Sequence, residues 1–218
     1  MSDPASAETA SCLSISSESR TMTSIAFFAA STLGIRPTNL NRLLIKAVAV
    51  VLGSSLLWAS AKVQVPFWPV PITLQTYVVL SLGALLGWRL GAATVAAYLI
   101  EGAIGLPVFA GTPANGLGLA YMAGATGGYL AGYLAAAALV GMLVERGWDR
   151  TVGGTMGALL LGETAILGMG CAWLAVLFGW ESALSYGFGP FLLGDAVKLV
   201  LAGATITYGR RLRSILTQ

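Results

Sequence analysis

Two ionisable residues of opposite charge stand three positions apart in the otherwise apolar segment LLGDAVKLVLAG. Asp195 and Lys198 therefore share one face of any helix that the segment forms. A helix that starts near Phe188 would place them about 10 Å and about 15 Å along its axis. Each charge costs about 2.5–3.5 kcal/mol at the centre of a bilayer, so an intramembrane pair indicates a function.

The Asp195–Lys198 pair predicts a fixed acceptor and a fixed donor that face a cavity and bind a small polar solute. Two alternatives stay open. The pair could neutralise itself and only hold the helices together, or it could relay protons or ions. Glu163, in the preceding apolar segment, could face the same cavity, neutralise Lys198 or be protonated.

Two stretches between apolar segments combine prolines, which fix φ, with aromatic and hydrogen-bonding side chains. They are VPFWPVPITLQT (65–76) and GLPVFAGTPANGLGLAYMAGATGGY (105–129). Aromatic faces with a few amide and hydroxyl groups are typical of small-molecule sites. The solute-binding residues predicted from these loops are Trp68, Thr73, Gln75, Phe109, Asn115 and Tyr121.

Enzymatic chemistry finds little support in the sequence. There is no histidine, no H-E-x-x-H, no Ser/His/Asp set and no phosphate-binding G-x-x-x-x-G-K-[ST]. The two cysteines, Cys12 and Cys171, have no metal or redox spacing. We therefore predict a protein that is not an enzyme, without metal or cofactor, and that does not itself hydrolyse ATP.

The elements that hold these residues must lie in lipid. Of the 218 residues, 56% are hydrophobic and 10% are charged, and the mean hydropathy is +0.80. Soluble domains carry about 25% charged residues, so this chain could not cover a surface in water. The net charge of +3 does not indicate nucleic acid, because the basic residues are few and scattered.

Six apolar segments recur along the chain, and about 20 helical residues cross about 30 Å of hydrocarbon. Backbone groups in lipid must bond internally, so each segment is predicted to be a helix. The fold class is thus an all-α integral membrane protein with six transmembrane helices. The segments are residues 43–63, 74–88, 91–104, 124–144, 153–178 and 188–208, of which the third is short enough to be tilted or incomplete.

Basic residues predict the orientation. With a cytosolic N-terminus, every arginine and lysine falls inside or at the inner boundary except Lys62, outside, and Lys198, within the bilayer. Both termini are therefore predicted to be cytosolic in a multi-pass protein of the plasma membrane. Residues 1–40 are predicted to be a disordered extension, with a processed targeting segment as the alternative, and residues 41–213 form the transmembrane domain.

Small residues four positions apart allow two helices to approach closely. Gly128, Gly132 and Ala136 form one such face on the fourth segment, and Ser55 with Ala59 forms another on the first. Packing within the chain is one interpretation. The other, which we apply to Ser55 and Ala59, is the docking of a partner subunit.

Four motifs in this order, VPFWPVPITLQT, GLPVFAG, GATGGYLAGY and LLGDAVKLVLAG, resemble the BioY family, the biotin-specific S components of energy-coupling factor (ECF) transporters. The resemblance covers about residues 43–210. It implies biotin capture from outside, and partnership with a membrane coupling subunit and two ATPase subunits. The chain departs from the family pattern at Ala125, where proline is usual, at TPANG, where a glycine run is usual, and in its long N-terminal extension.

Read onto this sequence, the resemblance implies that Asp195 accepts hydrogen bonds from the ureido N–H groups of biotin, and that Lys198 bonds the ureido oxygen or stabilises Asp195. Aromatic residues would sandwich the rings, and the group that meets the carboxylate stays open, with Thr73, Gln75 or loop N–H groups as candidates. The alternative function is a stand-alone secondary carrier in which Asp195, Lys198 and Glu163 relay protons. The sandwiching residues would be Trp68, Phe109 and Tyr121.

Overall fold

The computed structural model describes residues 39–216, without the side chains of residues 39–42, 192–193 and 211–216. Residues 1–38, most of the predicted extension, lie outside this range. Of the described residues, 39–47 belong to one unit of the chain and 48–216 to another. The elements are α1 (Asn39–Lys62), β1 (Gln64–Val65), β2 (Ile72–Thr73), α2 (Gln75–Ala103), α3 (Gly118–Met122), α4 (Gly127–Glu145), a 3-10 turn (Trp148–Arg150), α5 (Val152–Phe178), α6 (Trp180–Gly187) and α7 (Gly189–Leu216).

Within residues 39–216, four helices are long and apolar enough to cross a membrane. The pair Trp180–Phe191 and Gly194–Arg210, bent by 45°, makes a fifth if it counts as one span. The regular structure of the described residues is thus helical apart from the antiparallel ribbon of β1 and β2, with four or five candidate spans among them. The six-span count and the cytosolic termini stay predictions. The four helices are Leu43–Lys62 of α1, then α2, α4 and α5.

Helix α2 is a hairpin of two arms rather than a straight rod. Gly87, with φ 79° and ψ 171°, leaves the helical conformation in its middle. A Cβ on Gly91 would lie 3.0 Å from the Cα of Gly83, eight positions earlier, where a straight helix would separate them by about 12 Å. The chain therefore reverses at Gly87, and the two arms, residues 75–86 and 88–103, correspond to two apolar segments that the sequence predicted separately.

The reversal at Gly87 is stabilised from α4. The carboxylate oxygen Oε1 of Glu145 accepts a 3.1 Å hydrogen bond from the backbone N–H of Trp88, at the start of the second arm. A carboxylate is favoured there because the first N–H groups of a helix lack partners within the helix. Only glycine fits at position 87, because its φ is positive and a Cβ would collide with Glu145.

Helix α4 packs against both α2 and α5. A Cβ on Gly132 would lie 2.8 Å from the Cα of Ile166, and one on Gly128 would collide with Trp173. Ala136, on the same face, is fully buried. The predicted small-residue face of α4 is therefore a packing surface within the chain, where the absence of side chains lets α5 approach closely.

Candidate functional site

A small cavity, the inner cavity, opens among β2, α2, α4, α5 and α7. Its apolar lining includes Ile166, Leu167 and Phe191. Hydroxyl, amide and carboxyl groups converge on the same space, as in sites that orient a small solute. These polar lining residues are Thr73, Gln75, Thr76, Tyr121, Thr126, Tyr129, Tyr133, Glu163 and Asp195.

The predicted acid and amine meet in the first turns of α7. Lys198 Nζ donates a 2.8 Å hydrogen bond to Asp195 Oδ1, and both residues are buried. Asp195 lines the inner cavity, whereas Lys198 is not part of the lining. Lys198 thus supports the carboxylate from behind, and Asp195 presents it to the cavity.

Glu163 of α5 lines the same cavity as Asp195. Only 4% of its surface is exposed, and neither carboxyl oxygen has a hydrogen-bond partner among the described residues. Buried polar atoms are almost always bonded, so two unbonded oxygens at a cavity wall point to a group that enters the cavity.

Gln75, the first residue of α2, is fixed in the cavity wall by hydrogen bonds to the second arm of α2 and to Thr73. The amide Nε2 of Gln75 donates a 2.7 Å hydrogen bond to the hydroxyl of Tyr98, which donates to the carbonyl of Val108 at 3.1 Å. The backbone N–H of Gln75 donates to Thr73 Oγ1 at 3.3 Å. Tyr98, which the sequence analysis missed, therefore fixes the orientation of a predicted site residue.

The loop aromatics form two layers at the cavity. Tyr121 lines it, and its ring stacks on Phe109 with centroids 4.9 Å apart and an angle of 19° between the planes. Phe109 is 1% exposed, does not line the cavity, and meets Tyr98 edge-on at 5.5 Å. The Tyr121 hydroxyl donates to the carbonyl of Ala110 at 2.8 Å, and burial raises the pKa of Tyr121, which keeps the donor protonated.

A second, larger hollow, the vestibule, adjoins the inner cavity and shares Pro71, Tyr121 and Thr126 with it. The predicted residues Trp68 and Asn115 line the vestibule and not the inner cavity. Trp68 is 71% exposed, and its ring lies 6.2 Å from that of Phe178 and 6.1 Å from that of Tyr186.

Three aromatic lining residues were not predicted: Tyr129, Tyr133 and Phe191. The Tyr129 ring stacks on Phe191 at 5.7 Å, and its hydroxyl donates to the carbonyl of Gly187 at 2.7 Å. The signal was present in GGYLAGY, where a tyrosine follows each glycine of the packing face. The glycines contact α5, and the adjacent tyrosines turn toward the cavity.

The two predicted docking residues lie on an open face of α1. Ser55 and Ala59 are both exposed, and the Ser55 hydroxyl bonds only its own helix, at the carbonyl of Val51, 2.8 Å away. The neighbouring Ser54 faces inward and donates to Glu101 of the second α2 arm at 2.8 Å. The Ser55–Ala59 face thus stays accessible to another protein.

Comparisons with known proteins agree on one family. The sequence model of the BioY family matches residues 16–215. The probable biotin transporter BioY of Pyrococcus horikoshii is 37% identical over 153 residues, which cover 70% of this chain and 88% of that protein. The biotin transporter BioY of Thermotoga maritima is 36% identical over 149 residues, which cover 68% of this chain and 86% of that protein.

A solved structure has the same architecture. The crystal structure of the S-component for biotin from an ECF-type ABC transporter superposes with a TM-score of 0.70 at 25% sequence identity. The match covers 81% of this chain and 95% of that chain.

Proposed function

The chain belongs to the BioY family, as its motifs indicated. We propose that it captures biotin and carries it across the membrane as the S component of an ATP-driven ECF transporter. The family consists of transporter components and not of enzymes. The proposal therefore concerns which groups hold the vitamin, how the helices cross the membrane and where the partner subunits bind.

The buried Asp195–Lys198 pair at the cavity is the observation that carries the proposal. Biotin offers a ureido ring with two N–H donors and one carbonyl acceptor. Lys198 engages Oδ1 of Asp195, and a carboxylate has further acceptor sites on its two oxygens. Asp195 can therefore accept from the ureido group, and charge-assisted bonds in a buried site are the strong kind.

The remaining cavity walls match the rest of the vitamin. Tyr121 and the apolar residues Ile166 and Leu167 provide surfaces for the fused rings and the thioether. Thr73 and Gln75 share the inner cavity with Asp195, so we assign them to the ring end of the ligand. The valerate chain then extends past Tyr121, which lines both hollows, toward the vestibule, where Trp68 and Asn115 would meet it.

Six membrane crossings are supported by the reversal at Gly87. If each arm of α2 crosses separately, the crossings are α1, the two arms, α4, α5 and the bent α6–α7 pair. An even count puts both termini on one side, and the positive-inside rule makes that side the cytosol. Trp88 and Arg89 then lie at the cytosolic surface, and the inner cavity opens outward.

ATP-driven transport requires partners, and the Ser55–Ala59 face of α1 is our candidate surface for the membrane coupling subunit. Reconstitution in vesicles tests this arrangement. Biotin uptake that needs the coupling subunit, both ATPase subunits and ATP would support the ECF mechanism. Uptake by the chain alone, driven by a pH gradient, would instead support a secondary carrier with a proton relay.

A further inference from the structure

Glu163 is a carboxyl group that the protein leaves without a hydrogen bond. It lies on α5, lines the inner cavity with Asp195 and is 4% exposed. Neither Oε1 nor Oε2 has a donor among the described residues. Asp195, by contrast, receives the bond of Lys198. Two carboxyl groups thus share one cavity, and only one of them is bonded to a cation.

The surroundings of Glu163 favour its uncharged form. The ionisable groups around it are Asp195 and Lys198 from α7, Tyr129 and Tyr133 from α4 and Tyr121 from α3, and the carboxyl group of Asp195 lies close to that of Glu163. The α2 residues that line the cavity, Gln75 and Thr76, are neutral. An ionised carboxylate that is buried without hydrogen bonds is costly, and a second negative charge beside Asp195 adds to that cost.

An uncharged carboxyl group has one O–H donor and one carbonyl acceptor on the same carbon. A cyclic urea presents an adjacent N–H donor and carbonyl acceptor. The two edges are complementary and can close a ring of two hydrogen bonds. Asp195, which as a carboxylate can only accept, lies beside Glu163 and can then take the second ureido N–H.

We propose, building on the function proposed above, that Glu163 binds the ureido group of biotin as an uncharged acid, donating to its carbonyl oxygen and accepting from one N–H. Binding is then linked to protonation. Biotin binds the form of the protein in which Glu163 carries its proton, and ionisation of Glu163 at alkaline pH removes the donor and repels the ligand oxygen.

Two substitutions separate charge from hydrogen bonding. Glu163→Gln keeps one acceptor and an N–H donor but cannot ionise, and Glu163→Leu keeps the approximate volume without either bond. Thr164→Val on the same helix is the matched control. Thr164 is exposed and bonds only the carbonyl of Leu160 in its own helix.

The experiment titrates each purified full-length variant in detergent with biotin between about pH 6 and about pH 9, with thermal unfolding as the check on folding. We expect wild-type affinity to fall toward alkaline pH, and E163Q to bind only a few-fold more weakly at low pH and to lack that fall. E163L should bind about tenfold or more weakly than wild type at low pH, and its affinity should likewise not fall as the pH rises.

Three results would overturn the assignment. E163Q as weak as folded E163L would show that the carboxylate charge is needed. E163L with wild-type affinity would show that the group does not touch the ligand. An equal fall with pH in wild type and E163Q would assign the titration to another group. Wild-type protein that binds no biotin at any pH would refute the proposed function itself.

Discussion

Lys198 Nζ lies 2.8 Å from Asp195 Oδ1 on the same helix, and both side chains are buried. Of these two residues, Asp195 lines the inner cavity and Lys198 does not. The amine therefore orients the acid without needing to touch the solute. This division of roles separates the effect of each residue on stability from its effect on binding.

Lys198→Met should destabilise the protein, because it leaves the carboxylate of Asp195 buried without its donor. Breaking a buried pair on one side costs about 3–5 kcal/mol. We expect a lower melting temperature in detergent and weaker biotin binding. The double variant Asp195→Asn/Lys198→Met should recover much of the stability but none of the binding.

Val197→Met, at a neighbouring exposed position, is the control for added sulfur and bulk on α7. If the double variant were as unstable as Lys198→Met alone, the account of Asp195 and Lys198 as a separable pair would be wrong.

Tyr121 should act mainly through its ring. Tyr121→Phe removes one hydrogen bond to the carbonyl of Ala110, worth about 0.5–1.5 kcal/mol, but keeps the ring stacked on Phe109. Tyr121→Leu removes the stacking surface as well. Calorimetric titration should show a few-fold loss of biotin affinity for the first variant and a clearly larger loss for the second.

The pH dependence of the free energy of unfolding tests whether the Tyr121 hydroxyl is buried and protonated in the folded protein. Burial raises its pKa, so its contribution to stability is complete below the ordinary tyrosine pKa of about 10 and declines as the pH rises above it. Tyr121→Phe should lessen this alkaline decline. A larger decline in the variant would contradict the assignment.

Gly132→Ala should loosen the contact between α4 and α5. The added methyl would lie 2.8 Å from the Cα of Ile166 and 3.1 Å from its carbonyl oxygen, and backbone cannot rotate away. Overpacking of this kind costs about 1–3 kcal/mol, so the melting temperature should fall. Ala131→Val, one position away and exposed, should leave it unchanged. A wild-type melting temperature for Gly132→Ala would refute the close contact.

Ala59→Trp should abolish assembly with the coupling subunit while biotin binding persists, because Ala59 faces away from the cavity and is exposed. Ala172→Trp places the same bulk at an exposed alanine of α5 and should leave assembly intact. Co-purification with tagged partner subunits measures the effect. Assembly of Ala59→Trp at the wild-type level would move the docking surface elsewhere.

The helices and the central pair could be predicted from the sequence, because hydropathy and helical spacing are local properties. Asp195 and Lys198 had to share a face at i and i+3, and a break near Arg89 separated two apolar segments. The structure shows that the break is a sharp reversal at Gly87, where a positive φ and Glu145 of α4 fix the turn.

The details of the site depend on tertiary packing and could not be predicted. Loop composition identified Tyr121 and Phe109 as candidates, but not that Phe109 lies behind Tyr121. Trp68 was expected at the rings and lies at the vestibule. Tyr129 and Tyr133 were missed because their direction depends on the way the glycines of α4 contact α5.

Equilibrium binding of biotin to the purified full-length protein, compared with Asp195→Asn, tests the central claim most directly. Charge-assisted hydrogen bonds contribute about 1.5–3 kcal/mol, so the substitution should weaken binding by about tenfold to about a hundredfold in a protein that remains folded. Wild-type protein should bind biotin saturably and melt at a higher temperature with it. A wild type that does not bind biotin, or a folded Asp195→Asn variant with unchanged affinity, would contradict the account.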